Sequence, residues 1–194
     1  MGGQMLKQAL SVFDFLRIKY PDKAQVKVLY TIPLLISFLI CGILVSLASQ
    51  SVDKNYNFLL SDRFSDTFTF LAILPGFYIA SLSAIAAISR KAIDETINEN
   101  NPPYLVKRER DRPENYNQIL TRRIFLSMLF SYLSAISLIL ALFLITVRFG
   151  FSIFSPNLLA YGIVIFIVFF IVAQILLLTF VGISYLGYKA LAKN

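Results

Sequence analysis

The sequence predicts an all-α integral membrane protein with four transmembrane helices, both termini inside, an N-terminal amphipathic helix, and a cytoplasmic helical hairpin between spans two and three. Three observations carry this. Residues 28–52, 67–89, 124–147 and 149–188 contain no Asp, Glu, Lys, Arg or His, and each run reaches the about 20 apolar residues a helix needs to cross the hydrocarbon core. The chain is 57% hydrophobic and 15% charged, where soluble domains run at about 45–50% and about 25%, and its mean hydropathy is +0.71. The basic residues are also distributed unevenly about the apolar runs.

That asymmetry sets the topology. Lys7, Arg17, Lys19, Lys23 and Lys27 precede the first span, Arg90, Lys91, Lys107, Arg108, Arg110, Arg112, Arg122 and Arg123 lie between the second and third, and Lys189 and Lys193 follow the fourth. Only Lys54, Arg63 and Arg148 fall on the other side. Cytoplasmic loops carry the excess of Lys and Arg, so both termini and the central loop are expected in the cytoplasm, with the protein in a bacterial cytoplasmic (inner) membrane. Topology thus accounts for the net charge of +7, which in a soluble protein would suggest nucleic acid.

The expected organisation is one membrane domain over 1–194. Residues 1–27 form the N-terminal segment. Leu6, Ala9, Leu10, Phe13, Leu16 and Tyr20 recur at helical spacing with Lys7, Gln8, Ser11, Asp14 and Arg17 between them. This predicts a short amphipathic helix over 6–20, on the inner leaflet or packed under the bundle, ended by Pro21. No cleavable signal peptide is expected, because the basic region is too long and the apolar run is of full span length. Leu6 replaces the Ser or Thr of a myristoylation site.

Span one is 28–49, with Pro33 early enough to be harmless. The outer loop 50–66 is polar with interleaved aromatics and predicts one short turn of helix. Span two is 67–89, and Pro75-Gly76 predicts a kink, since proline removes a backbone hydrogen bond. In the loop 90–123, residues 90–100 extend the second helix, Asn101-Pro102-Pro103 stops it, and Pro113 opens a new helix through Tyr116 and Leu120. Span three is 124–147, 148–157 is an aromatic outer turn, span four is 158–188, and 189–194 is a cytoplasmic tail. Tyr30, Tyr161, Tyr185 and Tyr188 fall where interfacial aromatic belts are expected.

Three spans present a small-residue face at 100° steps: Pro33, Ser37, Cys41 and Ala48 in the first; Ala72, Gly76, Ala80, Ser83 and Ala87 in the second; Ser127, Ser131, Ser134, Ser137 and Ala141 in the third. Small faces let backbones approach and hydroxyls bond across helices, so spans two and three are expected to pack together or against another subunit. Span four, rich in Phe, Ile, Leu and Val, is expected to face lipid most.

Candidate sites follow, each beside its plainer explanation. Gln174 in mid-span needs a partner; it is helix–helix glue before it is a gate. The Ser127–Ser131–Ser134 stripe is packing before it is a pore lining, since no ring of charged side chains accompanies it. Tyr104, Lys107, Arg108, Arg110, Arg112, Arg122 and Arg123 would dock a cytosolic protein or anionic lipid; interspersed Glu109, Asp111 and Glu114 argue against nucleic acid. Asp94, Glu95 and Glu99 read as the solvated face of a helix extension. Tyr56, Phe58, Arg63, Phe149, Phe151 and Phe154 form the outer loops that would sense a perturbation. Cys41, the single cysteine, is a small filler that cannot form an intrachain disulfide. With no histidine and no Asp, Glu, Lys or Arg inside the apolar runs, zinc chemistry, Ser-His hydrolysis and proton coupling find no residues in this chain. No cofactor and no enzymatic activity are expected.

The layout of four spans, inside termini and a basic cytoplasmic loop resembles the KwaA-like membrane subunits of the Kiwa anti-phage defence system. The resemblance covers the whole chain in length, topology and loop charge, and no residue motif is carried over. It implies a homotetramer that senses a membrane event and docks a separate cytosolic effector, KwaB. The residues themselves point to a non-enzymatic homo-oligomeric sensor or anchor; an oligomeric ion channel or depolarising pore lined by span three is the alternative.

Overall fold

The structure, a computed structural model, describes residues 2–21, 23–50, 57–89, 91–98, 100–107, 116–154 and 156–189. Its long elements are helices: α1 (Gly2–Leu10), α2 (Lys23–Gln50), α3 (Asp62–Ala87), α4 (Arg122–Ile153) and α5 (Leu158–Ser184). The segments Lys27–Gln50, Thr67–Ala87, Arg122–Ile153 and Leu158–Gly187 are each long and apolar enough to cross a membrane. The four long apolar helices expected from the charge-free runs are thus present.

The N-terminal segment is helical in two pieces, α1 followed by a 3-10 turn at Ser11–Arg17. It stops before Pro21, because Ile18 takes extended backbone (φ −63°, ψ 127°). The stop has a tertiary cause. Phe15 and Ile18 are buried, and the Lys19 N–H donates to the Tyr104 carbonyl at 2.9 Å while the Tyr104 N–H donates to the Lys19 carbonyl at 3.1 Å.

The 90–123 loop departs from expectation: its described residues before Arg122 form a 3-10 turn and a β-ribbon, with no α-helix among them. Helix α3 ends at Ala87, a single 3-10 turn covers Lys91–Ile93, and strands β1 (Tyr104–Lys107) and β2 (Tyr116–Ile119) pair antiparallel, Tyr104 opposite Ile119 and Lys107 opposite Tyr116. Tyr104, Val106, Tyr116 and Ile119 are strand-favouring types whose branched or aromatic side chains pack on a pleated surface. The ribbon is further fixed by the Leu120 N–H, which donates to the Pro103 carbonyl at 3.0 Å, and by burial of Leu105. Pro113, on which the second helix was expected to start, lies outside the described residues.

The short turn expected after α2 is a 3-10 turn at Phe58–Leu60, where the Asn57 side chain accepts from the Leu59 N–H at 3.0 Å. The expected outer turn 148–157 shrinks, because α4 continues to Ile153. Arg148 does not end the helix: its guanidinium lies 5.8 Å from the centre of the Phe64 ring, a favourable cation–π placement. The stop comes before Pro156, since the residue preceding a proline disfavours helical backbone. Helix α3 runs through Pro75 without interruption, and α5 passes into a π-helical turn at Tyr185–Lys189.

The chain forms two compact units, one from Met1–Lys27, Gly76–Ala135 and Leu178–Asn194, the other from Val28–Pro75 and Ile136–Leu177. In the first, Phe15 stacks on Tyr132 (5.3 Å, 23°) and tilts against Phe125 (5.8 Å), so the N-terminal turn is pinned to α4. Tyr78 packs against Phe130 at 6.0 Å, and its hydroxyl is 2.7 Å from that of Thr179. Gly182 permits this packing: a Cβ there would lie 2.9 Å from Phe130 Cζ and 3.2 Å from Leu129 Cδ2. In the second unit Leu59, Phe64, Leu71, Leu144 and Ile165 are buried, and Cys41 Sγ donates to the Gly162 carbonyl at 3.3 Å.

The fourth span is not the most exposed. The most apolar stretch of α2 is only 11% buried, against 33% for the span built on α5. Helix α5 is apolar around its whole circumference, so composition did not mark the side that Ile165, Val168, Ile175 and Leu178 bury. Tyr161, expected in an aromatic belt, is also buried, its hydroxyl accepting from the Phe58 N–H at 3.3 Å.

Gly182→Ala is expected to destabilise the protein by about 1–3 kcal/mol through overpacking against Phe130. Gly42→Ala, where nothing lies within 4 Å of an added Cβ, is the matched control, since replacing a helical glycine by alanine costs nothing in propensity. Thermal unfolding in nanodiscs checks the pair: a midpoint lowered by Gly182→Ala and not lowered by Gly42→Ala is the expected result.

Candidate functional site

The first turn of α4 is where chemistry concentrates. Arg123 sends Nη1 to the Ile85 carbonyl (3.0 Å) and Nη2 to the Ile88 carbonyl (2.6 Å), while Nε and Nη2 hold the two Asp94 oxygens at 2.7 and 3.2 Å. A helix leaves its last carbonyls without intrahelical donors, and here one guanidinium closes the end of α3. Arg122, 8% exposed, donates to the Ala92 carbonyl at 2.8 Å and lies 3.3 Å from Glu95. The Arg122 N–H donates to the Glu95 carbonyl, and Thr96 bridges to Thr121. These bonds tie 85–96 to the start of α4.

Arg122 and Arg123 are therefore committed within the chain and are not free docking cations. Asp94 and Glu95 are their ion-pair partners, not the solvated face of an extended helix. The signal for this was two adjacent acids and two adjacent arginines at opposite ends of one loop. The Asp94 carboxyl is held below the usual carboxylate range, chiefly by the hydrogen bond from Arg123; burial opposes this and the charge of Arg123 adds to it.

Of the other docking candidates, Tyr104 and Lys107 sit on β1, Lys107 exposed and Tyr104 half-buried. Arg108, Arg110 and Arg112 lie outside the described residues. What sequence reasoning missed is that β1 faces Arg17 and Lys19 across an open-sided groove of about 780 Å³. Its trace in the sequence is the extended backbone expected just before Pro21.

The outer-loop residues separate into two sets. Phe58 packs edge-on to Phe64 (5.4 Å) and tilted to Phe169 (6.3 Å), so it belongs to a packed aromatic cluster. Phe149 and Phe154 are 68% and 74% exposed, and Phe151 is half-buried. Tyr56 and the side chain of Arg63 lie outside the described residues.

The three small faces have different fates. On α2, Pro33 and Ser37 are buried, and Val45 meets Gly162. On α4, Ser134 and Ser137 are buried and Ser127 and Ser131 half-buried. On α3 the bulky side is used instead: Leu71, Tyr78 and Ile85 are buried while Ala72, Gly76, Ala80, Ser83 and Ala87 are all exposed. Gln174 is 8% exposed on α5.

Comparison of the chain with protein-family models, curated proteins and solved structures finds no match.

The sign of the pH dependence follows from the lowered Asp94 pKa. Its contribution to holding 88–96 is complete above the ordinary carboxylate pKa of about 4 and is lost as pH falls through the depressed value. Amide hydrogen exchange over 85–96 is expected to be unchanged from neutral to mildly acidic pH, after correction for intrinsic rates. Asp94→Asn should raise it at neutral pH and Arg123→Lys should raise it further, because lysine cannot reach Ile85, Ile88 and Asp94 together. Wild-type protection in both variants would contradict the latch.

Proposed function

We propose that the chain is a non-enzymatic, homo-oligomeric membrane sensor or anchor that couples an event at the membrane or its outer surface to a cytosolic effector protein, in the manner the KwaA-like resemblance implies. On this reading it lies in a bacterial inner membrane with both termini cytoplasmic. Its apolar helices are structural, and the 90–123 segment faces the cytosol, with anionic lipid near the basic residues.

The observation that carries the reading is the form of that segment. It is latched by Arg122 and Arg123 and built on a β-ribbon that leaves Lys107 exposed. A loop that merely joined two spans would need no such anchoring. The empty small face of α3 supports self-association, since small residues are how helices approach one another in lipid. Antiviral defence enters only through the resemblance.

Two measurements test this. Ala80→Leu with Ser83→Leu, placed on an exposed face, is expected to leave the monomer folded and weaken self-association at least about tenfold, equivalent to about 1.4 kcal/mol. Mass photometry in mild detergent reads the result, and an unchanged assembly removes α3 from the interface. Affinity purification from the native host, comparing the intact chain with a version lacking residues 99–113, reads the second. A stoichiometric cytosolic protein lost with the deletion is expected; no partner in either sample would sink the docking function.

A further inference from the structure

We propose that the outer edge of β1 is a strand-addition site that takes an extended acidic peptide segment of a cytosolic protein, the peptide running between β1 and the turn at Ser11–Arg17. This rests on the docking function above and specifies how docking is made.

The backbone argument comes first. In an antiparallel ribbon successive residues point their N–H and C=O alternately toward the partner strand and away from it. Tyr104 points away from β2, because both its groups bond to Lys19. The Pro103 carbonyl points toward β2, bonding the Leu120 N–H. By alternation Leu105 and Lys107 face β2, and Val106 faces outward beside Tyr104. Were the Lys19 pairing to continue, Arg17 would stand opposite Val106. It does not, because Ser11–Arg17 is helical. The ladder therefore stops after one bridge, and the Val106 N–H and C=O have no partner among the described residues.

Unpaired edges of this kind template the pairing of another chain unless they are blunted. Here a groove of about 780 Å³ opens along the edge, a size usual for ligand clefts (about 300–1,000 Å³). Its apolar footing is Leu16 and Val106, 49% and 39% exposed. Strand addition uses such a combination: main-chain bonds for affinity and flanking side chains for selection.

Charge selects the occupant. Arg17, Lys19 and Lys107 line the groove with one acid, Asp14, which lies 3.3 Å from Arg17. Lys19 and Lys107 have no ion-pair partner among the described residues. The excess is positive, so an extended segment carrying Glu or Asp at alternate positions fits.

The test uses the full chain in phosphatidylcholine nanodiscs and a fluorescein-labelled hexapeptide of alternating glutamate and valine, read by fluorescence anisotropy. Saturable binding is expected, weaker when lysine replaces glutamate. Val106→Pro removes only the outward N–H and should weaken binding about fivefold, as one lost hydrogen bond does, while Val106→Ala stays near wild type. Two N-methylated peptides leave the protein untouched, so the proposal stays falsifiable if Val106→Pro misfolds. Methylating one alternate set of amides should abolish binding, and methylating the other set should leave it. Equal binding of both would mean charge attraction without strand pairing and overturn the proposal, as would no saturable binding. Displacement of the peptide by soluble glycerol 3-phosphate at constant ionic strength, in phosphatidylcholine nanodiscs, would give the groove to lipid headgroups and overturn it too. A cytosolic protein retained equally by wild type and Val106→Pro would overturn strand addition while docking stands. If no version retains one, the docking function fails and this proposal with it.

Discussion

The interaction on which the rest depends is the four-pointed grip of Arg123. Helix α3 must end somewhere before the chain turns back into α4, and a helix end leaves carbonyls that need donors. One guanidinium supplies them at Ile85 and Ile88 and, with its remaining capacity, holds Asp94. Only arginine has planar donors enough for this. Because the grip comes from the first turn of α4, the end of one long helix and the beginning of the next are set together. Arg122 then extends the same arrangement to Ala92 and Glu95. The ribbon, and the groove beside it, hang from this fixed stretch.

The long helices show a second constraint, the partition of small and large residues. A close helix approach needs small side chains, and the chain uses two of its three small faces for itself: that of α2, near Gly162, and that of α4, through Ser134 and Ser137. On α3 it buries the bulky side instead, where Tyr78 gains both a ring contact with Phe130 and a hydroxyl contact with Thr179. The stripe of Ala72, Gly76, Ala80, Ser83 and Ala87 is left exposed, and under the proposed function it is the surface available for self-association, since small residues let helices approach closely in lipid.

How much of this was legible in the sequence depends on the range of the forces involved. The spans were legible because one charge in hydrocarbon costs several kcal/mol, so a charge-free run speaks without its context. Arg148 shows the limit: it was read as ending a helix, but a ring 84 positions away along the chain, Phe64, accommodates it within α4. The ribbon was illegible because four-residue strands carry almost no periodicity, and Tyr116 or Leu120 suits a helix equally well until Pro103 and Lys19 supply pairing partners. Spacing on one helix groups small residues on a face but does not say whether or by which neighbour that face is covered. Likewise Arg122 and Arg123 read as surface cations, since nothing local reveals that they turn back on Asp94, Glu95 and the end of α3.

Under the proposed function, these features bear on how a protein with no Asp, Glu, Lys, Arg or His in its apolar runs would pass a signal. Coupling between sites is commonly worth about 1–3 kcal/mol, and packing alone can supply that. The N-terminal turn is held at two places, by Phe13 and Phe15 on Tyr132 of α4 and by the paired hydrogen bonds between Lys19 and Tyr104. The bridge comprises two bonds of about 1 kcal/mol each, and each aromatic contact is worth about as much. A displacement of α4 that strained the aromatic contacts would therefore act with comparable force on the bridge. That bridge occupies the outward pairing position of β1 next to Val106. Under the proposed function, the same edge that would receive an acidic strand is the edge the protein's own N-terminal segment partly covers. On that reading, movement of α4 and occupancy of the groove would be linked through one pair of backbone hydrogen bonds.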